Sequence, residues 1–168
     1  MAATFTLISS VTVGSGGAAN IEFTSIPATY TDLLLKLSGR SNRSETTEFL
    51  NINLNSSASD FTNKTLEATG TTVYSGSYGA YIGSIPAATA TASTFGSFEI
   101  YIPNYAGSNF KSISSDSVSE NNITQAYSDL IASLWSQTAA ITSVKLVTNN
   151  ASNFVQYSTA TLYGISNA

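Results

Sequence analysis

Residues 26–40 read IPATYTDLLLKLSGR and carry the clearest secondary-structure signal in the chain. Ile26-Pro27 ends the preceding element, because proline has no backbone N–H to donate and restricts the residue before it. From Tyr30 the side chains alternate between two faces, with Leu33, Leu35 and Leu37 on one face and Leu34, Lys36, Ser38 and Arg40 on the other. A period of two residues is typical of a half-buried strand. The stretch therefore predicts a β-sandwich or barrel.

The same alternation recurs along the chain between turn residues. The predicted strands cover residues 5–13, 21–23, 30–40, 50–54, 98–102, 111–118, 127–135, 141–147 and 157–165. In 127–135 apolar residues occupy both parities, which indicates a central strand covered on both faces, with a short helix as the alternative. The pattern predicts an all-β fold: one antiparallel β-sandwich domain of eight or nine strands over residues 1–168.

Two segments stand apart from these strands. Residues 1–20 end in a glycine-rich turn and form a candidate N-terminal arm. Residues 56–94 are irregular, rich in Ser, Thr, Gly and Ala, and set Tyr74, Tyr78 and Tyr81 among glycines. A compact domain seldom holds a structureless connection longer than ~15 residues, so 56–94 is predicted to contain a hairpin or a packed excursion. Such segments often carry outward-facing function.

The composition is polar but weakly charged. The chain has 28 Ser, 22 Thr and 14 Asn against 16 charged residues, and it has no cysteine or histidine. Thiolate nucleophiles, disulfides, histidine bases and zinc sites of the usual type are thereby excluded. The net charge is −4, and the pair Arg40 and Arg43 is predicted to lie in a solvated loop. No basic footprint for nucleic acid is present, and the N-terminus does not read as a signal peptide or membrane anchor.

The remaining residue types give weak support for catalysis. The nearest carboxylate pairs, Glu45 with Glu48 and Asp116 with Glu120, are predicted to be loop or surface charges. No Asp/Asn run has the spacing of a calcium loop, and Gly14-Ser15-Gly16-Gly17 precedes neither a lysine nor a helix. Trp135 lies in an apolar run, so core packing is favoured over a sugar-stacking role. We expect no enzyme activity, no metal and no cofactor.

Four segments together carry a resemblance to a known group of proteins. They are IPATYTDL at 26–33, YIPNY at 101–105 with Lys111, WSQTAAI at 135–141 and TLYGI at 161–165. Segments of this kind, in this order, resemble those of many small virion proteins of tailed bacteriophages, which include capsid decoration (cement) proteins and tail-fibre modules. The resemblance spans residues 20–165, and its motifs are structural rather than catalytic. It implies an eight-stranded jelly roll, a place on the virion surface and assembly as a homotrimer.

These observations lead to two expectations for function. The first is a capsid decoration protein, made in the host cytoplasm, that stabilises the phage head by bridging subunits of the major capsid protein. The alternative is a tail-fibre or spike module that binds glycan on the host surface. A small carbohydrate-active enzyme is disfavoured, because no acidic residue stands out as a catalytic carboxylate. The candidate interaction surface consists of Phe5, Leu7, Tyr74, Tyr78 and Tyr81.

Overall fold

The computed structural model describes residues 4–123 and 125–166, without the side chains of 121–123 and 125. All regular structure in this part of the chain is β-strand. The strands are β1 (Phe5–Thr12), β2 (Asn20–Phe23), β3 (Asp32–Gly39), β4 (Thr47–Leu54), β5 (Phe61–Thr69), β6 (Thr72–Gly76), β7 (Tyr81–Pro86), β8 (Gly96–Ile102), β9 (Lys111–Ile123), β10 (Gln125–Trp135), β11 (Val144–Thr148) and β12 (Thr159–Ile165). Within the described residues no helix could span a membrane.

The strands form two antiparallel sheets. The larger sheet has the order β1-β12-β3-β8-β9-β10-β5-β6, and the smaller one β2-β11-β4-β7. Strands β1, β12, β3 and β8 together with β2, β11, β4 and β7 follow the strand order of a jelly roll, in which two four-stranded sheets pack face to face. The other four strands form two hairpins, β5–β6 and β9–β10, that widen the larger sheet. The predicted antiparallel sandwich of jelly-roll type is confirmed, with twelve strands in the described residues rather than eight or nine.

Strand β3, which carries the alternating leucines, lies at the centre of the jelly roll. Leu33, Leu35 and Leu37 are buried in the core between the sheets, as the alternation predicts. Leu35 pairs with Leu162 of β12 on one side and with Ile100 of β8 on the other. Burial of each such side chain contributes roughly 1.5–3 kcal/mol, so this row of cross-strand contacts is a major source of stability.

Part of the candidate arm, residues 5–12, is an edge strand. Residues 5–12 pair with β12 from Phe5 opposite Ile165 to Thr12 opposite Thr159. An irregularity in the pairing between Leu7 and Ser9 changes which residues face inward, so that Ile8 and Val11 pack on the core. The prediction of an arm is corrected for these residues, because β12 offers a partner for their backbone groups.

The irregular segment 56–94 contains three strands. Strands β5 and β6 are joined by Gly70-Thr71, and Gly70 has a φ of 56°, which suits a two-residue hairpin turn. Strand β7 is buried along its whole length because β9 and β10 pack over it. Gly83 of β7 is required there, since a Cβ atom would lie 2.4 Å from Ser117 Oγ and 2.8 Å from the Phe98 ring.

The segments that carry the sequence resemblance meet one another in the fold. Tyr105 is fully buried; its hydroxyl donates to the carbonyl of Pro27, and its own carbonyl accepts a bond of 3.0 Å from Ile141 N–H. Asp32 accepts bonds from the Tyr101 hydroxyl at 2.7 Å and from Asn104 N–H at 2.9 Å. Thr31 N–H also donates to the carbonyl of Ile165 at 2.8 Å, which joins the fourth segment to the first. The four motifs are therefore structural, since they hold separate parts of the sandwich together.

Lys111 belongs to the same group of structural residues. Its ammonium is buried and donates to the carbonyls of Gly107 at 2.6 Å, Asn109 at 2.5 Å and Thr138 at 3.4 Å. Burial lowers its pKa below the usual lysine range. The side chain thus holds the loop before β9 against the WSQTAAI segment.

Two predicted surface charges are buried. Arg40 is not in a solvated loop, because its guanidinium donates to loop 88–94. Glu48 is also buried and accepts bonds from Phe49 N–H at 2.9 Å, Asn150 Nδ2 at 2.8 Å and Ser152 Oγ at 2.7 Å. Both side chains fix loops through bonds to residues that are distant along the sequence.

Candidate ligand pocket and exposed apolar face

The three tyrosines of the predicted interaction surface line one pocket. The pocket, called the tyrosine pocket below, has a volume of about 580 Å³, within the range typical of ligand sites. It lies between the β5–β6 hairpin, strand β4 and the loop that precedes β7. Its lining residues are Phe49, Asn51, Glu67, Tyr74, Ser75, Tyr78, Tyr81 and Asn149.

Aromatic rings form the wall of this pocket. Tyr81 is buried and packs edge-on against Phe49, with ring centroids 5.6 Å apart, and against Tyr78, at 5.8 Å. Tyr74 and Tyr78 present their rings to solvent, with 52% and 58% of their surfaces exposed. The arrangement therefore has a fixed inner ring and two outer rings open to a ligand.

Backbone contacts hold the Tyr78–Tyr81 segment in place. The buried Asn63 side chain accepts a bond of 2.6 Å from Tyr78 N–H and donates one of 3.2 Å to the Tyr81 carbonyl. The Tyr78 ring lies over Gly76, where a Cβ atom would be 2.4 Å from the ring. Glycine at this position therefore allows the observed placement of the Tyr78 ring.

A buried polar chain fixes the Tyr81 ring. The Tyr81 hydroxyl lies 3.0 Å from Ser84 Oγ, and Ser84 donates both its hydroxyl and its N–H to Asp129 Oδ2, each at 3.0 Å. Ser117 adds a third bond to the same oxygen at 2.7 Å. Burial is the main cause that raises the pKa of Tyr81, and the negative charge of Asp129 raises it further. The phenol is thus a neutral, oriented donor that connects the pocket wall to β10.

Besides the hydroxyl groups of Ser75 and the tyrosines, the polar side chains that line the pocket are two amides and one carboxyl group. Asn51 Nδ2 donates to Asn149 Oδ1 at 3.0 Å, so the pair retains at least one whole NH2 group and one whole carbonyl oxygen, whichever way the amides are oriented. Glu67 lies directly opposite Asp129 in the β5–β10 pairing. Burial is the main cause that raises the pKa of Glu67 above its ordinary value, and the negative charge of Asp129 raises it further.

The second feature is an apolar patch on the outer face of the two hairpins, called the apolar face below. Leu130 and Leu66 lie opposite each other on β10 and β5. In the next outward-facing row Val118 and Val73 occupy β9 and β6, joined by Ser128 and Ala68. All four large side chains are exposed, Leu130 by 58% of its surface. The prediction that β10 is covered on both faces is therefore wrong, because nothing in the described chain packs over Leu130.

The apolar face is broad and shallow. Four strands at a spacing of ~4.8 Å make it roughly 14 Å wide, and its two rows lie roughly 7 Å apart. One concavity of about 620 Å³ lies on this face between Leu66 and Leu130 and also contains Lys64 and Asp116. Another of about 820 Å³ lies beside it, lined by Phe61, Tyr101 and Leu134 together with short side chains such as Ser112 and Ala132. Exposed leucine and valine side chains spread over a sheet surface of this width are suited to contact with another protein.

The other predicted surface residues lie elsewhere. Phe5 and Leu7 are exposed on β1, at the opposite edge of the larger sheet from β6. The structure therefore brings the three tyrosines together but separates them from Phe5 and Leu7. Trp135 is buried and lies 6.4 Å from the Phe61 ring, which confirms its assignment to the core.

Sequence reasoning missed most of the other residues of both surfaces. Phe49, Asn51 and Asn149 come from β4 and the end of β11, and no local signal connects them with the tyrosines. The sequence does contain a signal for the apolar face. Leu130 and Ile131 are neighbours in β10 and so point to opposite faces of the sheet, which means that both faces of this strand carry apolar residues.

The chemistry that these groups offer is binding. Among the described residues no three acidic side chains converge on a position for a metal ion. Glu67 is the one acidic residue in the described lining of the tyrosine pocket, whereas glycoside hydrolysis in its usual form uses a pair of carboxylates. Aromatic faces, amides and a carboxyl group supply stacking and hydrogen bonding.

No protein-family model matches the chain, and no curated protein matches it. Among solved structures, the chain is similar to the Caenorhabditis elegans galectin LEC-6, with 8% identity over 94% of this chain and 96% of that one. The TM-score is 0.32, a value too low for the likeness to carry an argument.

Proposed function

We propose that this protein is a non-enzymatic structural protein of a bacteriophage virion, a capsid decoration (cement) protein that stabilises the head by bridging major capsid protein subunits. The observation that carries the proposal is the apolar face, where Leu66, Val73, Val118 and Leu130 are exposed together on one sheet surface. Monomeric proteins seldom expose a large contiguous apolar patch without a partner for it. Burial of this patch contributes ~25 cal/mol for each Å² removed from water.

The proposed role needs affinity spread over several contacts. A standard protein contact buries ~1,600 Å² in total, and a homotrimer repeats each contact three times. Linked contacts of moderate affinity then add to a firm attachment through effective concentration. The resemblance of the four sequence segments to phage virion proteins supports this assignment. The contacts that the buried residues Asp32 and Tyr105 make between these segments agree with a structural role.

The test is a capsid-occupancy assay. Heads that lack the protein are mixed with the purified wild type, with Leu130→Lys or Leu66→Lys, and with the control Phe110→Lys, which changes an exposed apolar residue outside the apolar face. We expect the two variants in the apolar face to lower the apparent affinity by about tenfold or more, while the control binds as the wild type does. Equal occupancy by all four proteins would contradict the use of this face.

A second candidate function is favoured by a separate observation. The tyrosine pocket, with its exposed Tyr74 and Tyr78 rings, suits a tail-fibre or spike module that binds glycan on the host surface. Adsorption of the purified protein to host cells and to their extracted lipopolysaccharide tests this role. Retention on both, reduced by Tyr78→Ala, would support it, and no retention on either would exclude it.

A further inference from the structure

The chemistry of the tyrosine pocket specifies its ligand more closely than glycan in general. Tyr74 and Tyr78 offer exposed aromatic faces of the kind that pack against the C–H face of a pyranose ring. The amides of Asn51 and Asn149 supply a donor and an acceptor next to these rings. Sugar hydroxyls both donate and accept, so they match such a mixed polar set.

The charges around the pocket select against acidic sugars. Among the described residues that line it there is no lysine or arginine, and the one acidic group is the carboxyl group of Glu67. An anionic sugar would therefore meet an acidic group without a cation to offset the repulsion. A neutral sugar meets a hydrogen-bonding group instead.

The pocket is also preorganised, which lowers the entropic cost of binding. Tyr81 is fixed through Ser84 to Asp129, and Asn63 holds the backbone of the segment that carries Tyr78 and Tyr81. A ligand then has to order few side chains beyond the two outer rings.

We propose that the tyrosine pocket binds an uncharged saccharide, with a pyranose ring stacked on the exposed rings of Tyr74 and Tyr78 and hydroxyls bonded to Asn51, Asn149 and Glu67. This inference rests on the second candidate function, which supplies the class of ligand, a glycan. It does not depend on capsid binding, because the apolar face lies on the opposite side of β5 and β6.

The experiment is saturation-transfer difference NMR with the purified full chain. The neutral probes are N-acetylglucosamine, glucose, galactose and rhamnose with their trisaccharides, and the anionic probes are sialic acid and glucose 6-phosphate. We expect transfer from at least one neutral probe and none from the anionic ones. Signals from the anionic probes alone, or from no probe at millimolar concentration, would overturn the proposal.

Variants then locate the bound sugar. Tyr74→Ala and Tyr78→Ala are expected to weaken binding of the neutral probe by about tenfold, which corresponds to ~1.4 kcal/mol. Gly76→Ala keeps all the tyrosines but displaces the Tyr78 ring, and should weaken binding to a similar extent. Tyr157→Ala removes an exposed tyrosine outside the pocket and should leave affinity unchanged.

Unchanged affinity in all three pocket variants would place the sugar elsewhere and refute the proposal. The readouts of the two functions remain separate. A protein that occupies capsids but binds no probe retains the decoration role and loses the saccharide site. A protein that binds the neutral probe but not capsids gives the opposite result.

Discussion

Replacing Arg40 by Met tests whether a buried cation organises the loop that follows β7. The guanidinium donates five hydrogen bonds, to the carbonyls of Thr91 at 2.6 Å, Thr94 at 3.0 Å, Ala90 at 3.0 Å and Ala88 at 3.3 Å, and to Thr94 Oγ1 at 3.1 Å. Bonds to a charged group contribute ~1.5–3 kcal/mol each, and the cost of desolvating the cation offsets much of their sum. We expect a net loss of about 3–4 kcal/mol, a large part of the ~5–15 kcal/mol that typically holds a domain folded.

Urea denaturation followed by circular dichroism measures this loss. At a slope of ~2 kcal/mol per molar urea, the midpoint of the variant should fall by about 1.5–2 M. Lys36→Met is the matched control, because Lys36 forms an ion pair with Glu99 at 2.7 Å that is exposed to solvent and contributes little to stability. If the Arg40→Met midpoint fell no further than that of the control, the reasoning about the buried cation would be refuted.

Three further predictions follow from buried groups and from the proposed assembly. Glu67→Gln should become increasingly more stable than the wild type as pH rises above the ordinary glutamate pKa of about 4.3. The raised pKa of Glu67 means that the folded wild type loses stability as that carboxyl group ionises, and a difference independent of pH in thermal unfolding would contradict this. Gly83→Ala should lower the unfolding free energy by ~2–4 kcal/mol, since φ is 131° and a Cβ atom would clash with Ser117, while Gly14→Ala, with open space around it, should change it by less than ~0.5 kcal/mol. Native mass spectrometry should give a homotrimer, three chains of 17.5 kDa, and a monomer at every concentration would exclude the trimer.

Alternation predicted the strands that have one face in the core. Leu33, Leu35 and Leu37 lie inward because a strand turns successive side chains to opposite faces. It did not separate the strands of segment 56–94. There β5 carries polar residues on both of its faces, β6 is largely exposed, and β7 is covered on both faces, so none of the three produces a clean apolar–polar period.

The alternation of side chains along a strand also cannot show whether both faces of that strand are covered by other elements. The apolar residues on both faces of β10 predicted burial on both sides, yet Ile131 is buried and Leu130 is exposed. The difference depends on which elements pack against the sheet, a property of the whole topology. The surface prediction for Arg40 failed for the same reason, because its partners lie about 50 residues away.

The candidate pocket was partly predictable. Tyr74, Tyr78 and Tyr81 lie close together in the sequence, so any hairpin there brings them near one another. Phe49 and Asn149 reach the same pocket only because β4 pairs with both β7 and β11. Local sequence therefore indicated an aromatic surface, whereas its polar groups and its depth depend on long-range strand pairing.

The most direct test of the proposed decoration role is the position of the protein on purified virions. Cryo-electron microscopy of the particles should show trimeric density on the outside of the head, with the face that contains Leu66 and Leu130 against major capsid protein subunits. Heads without this density, or density confined to the tail, would contradict the account.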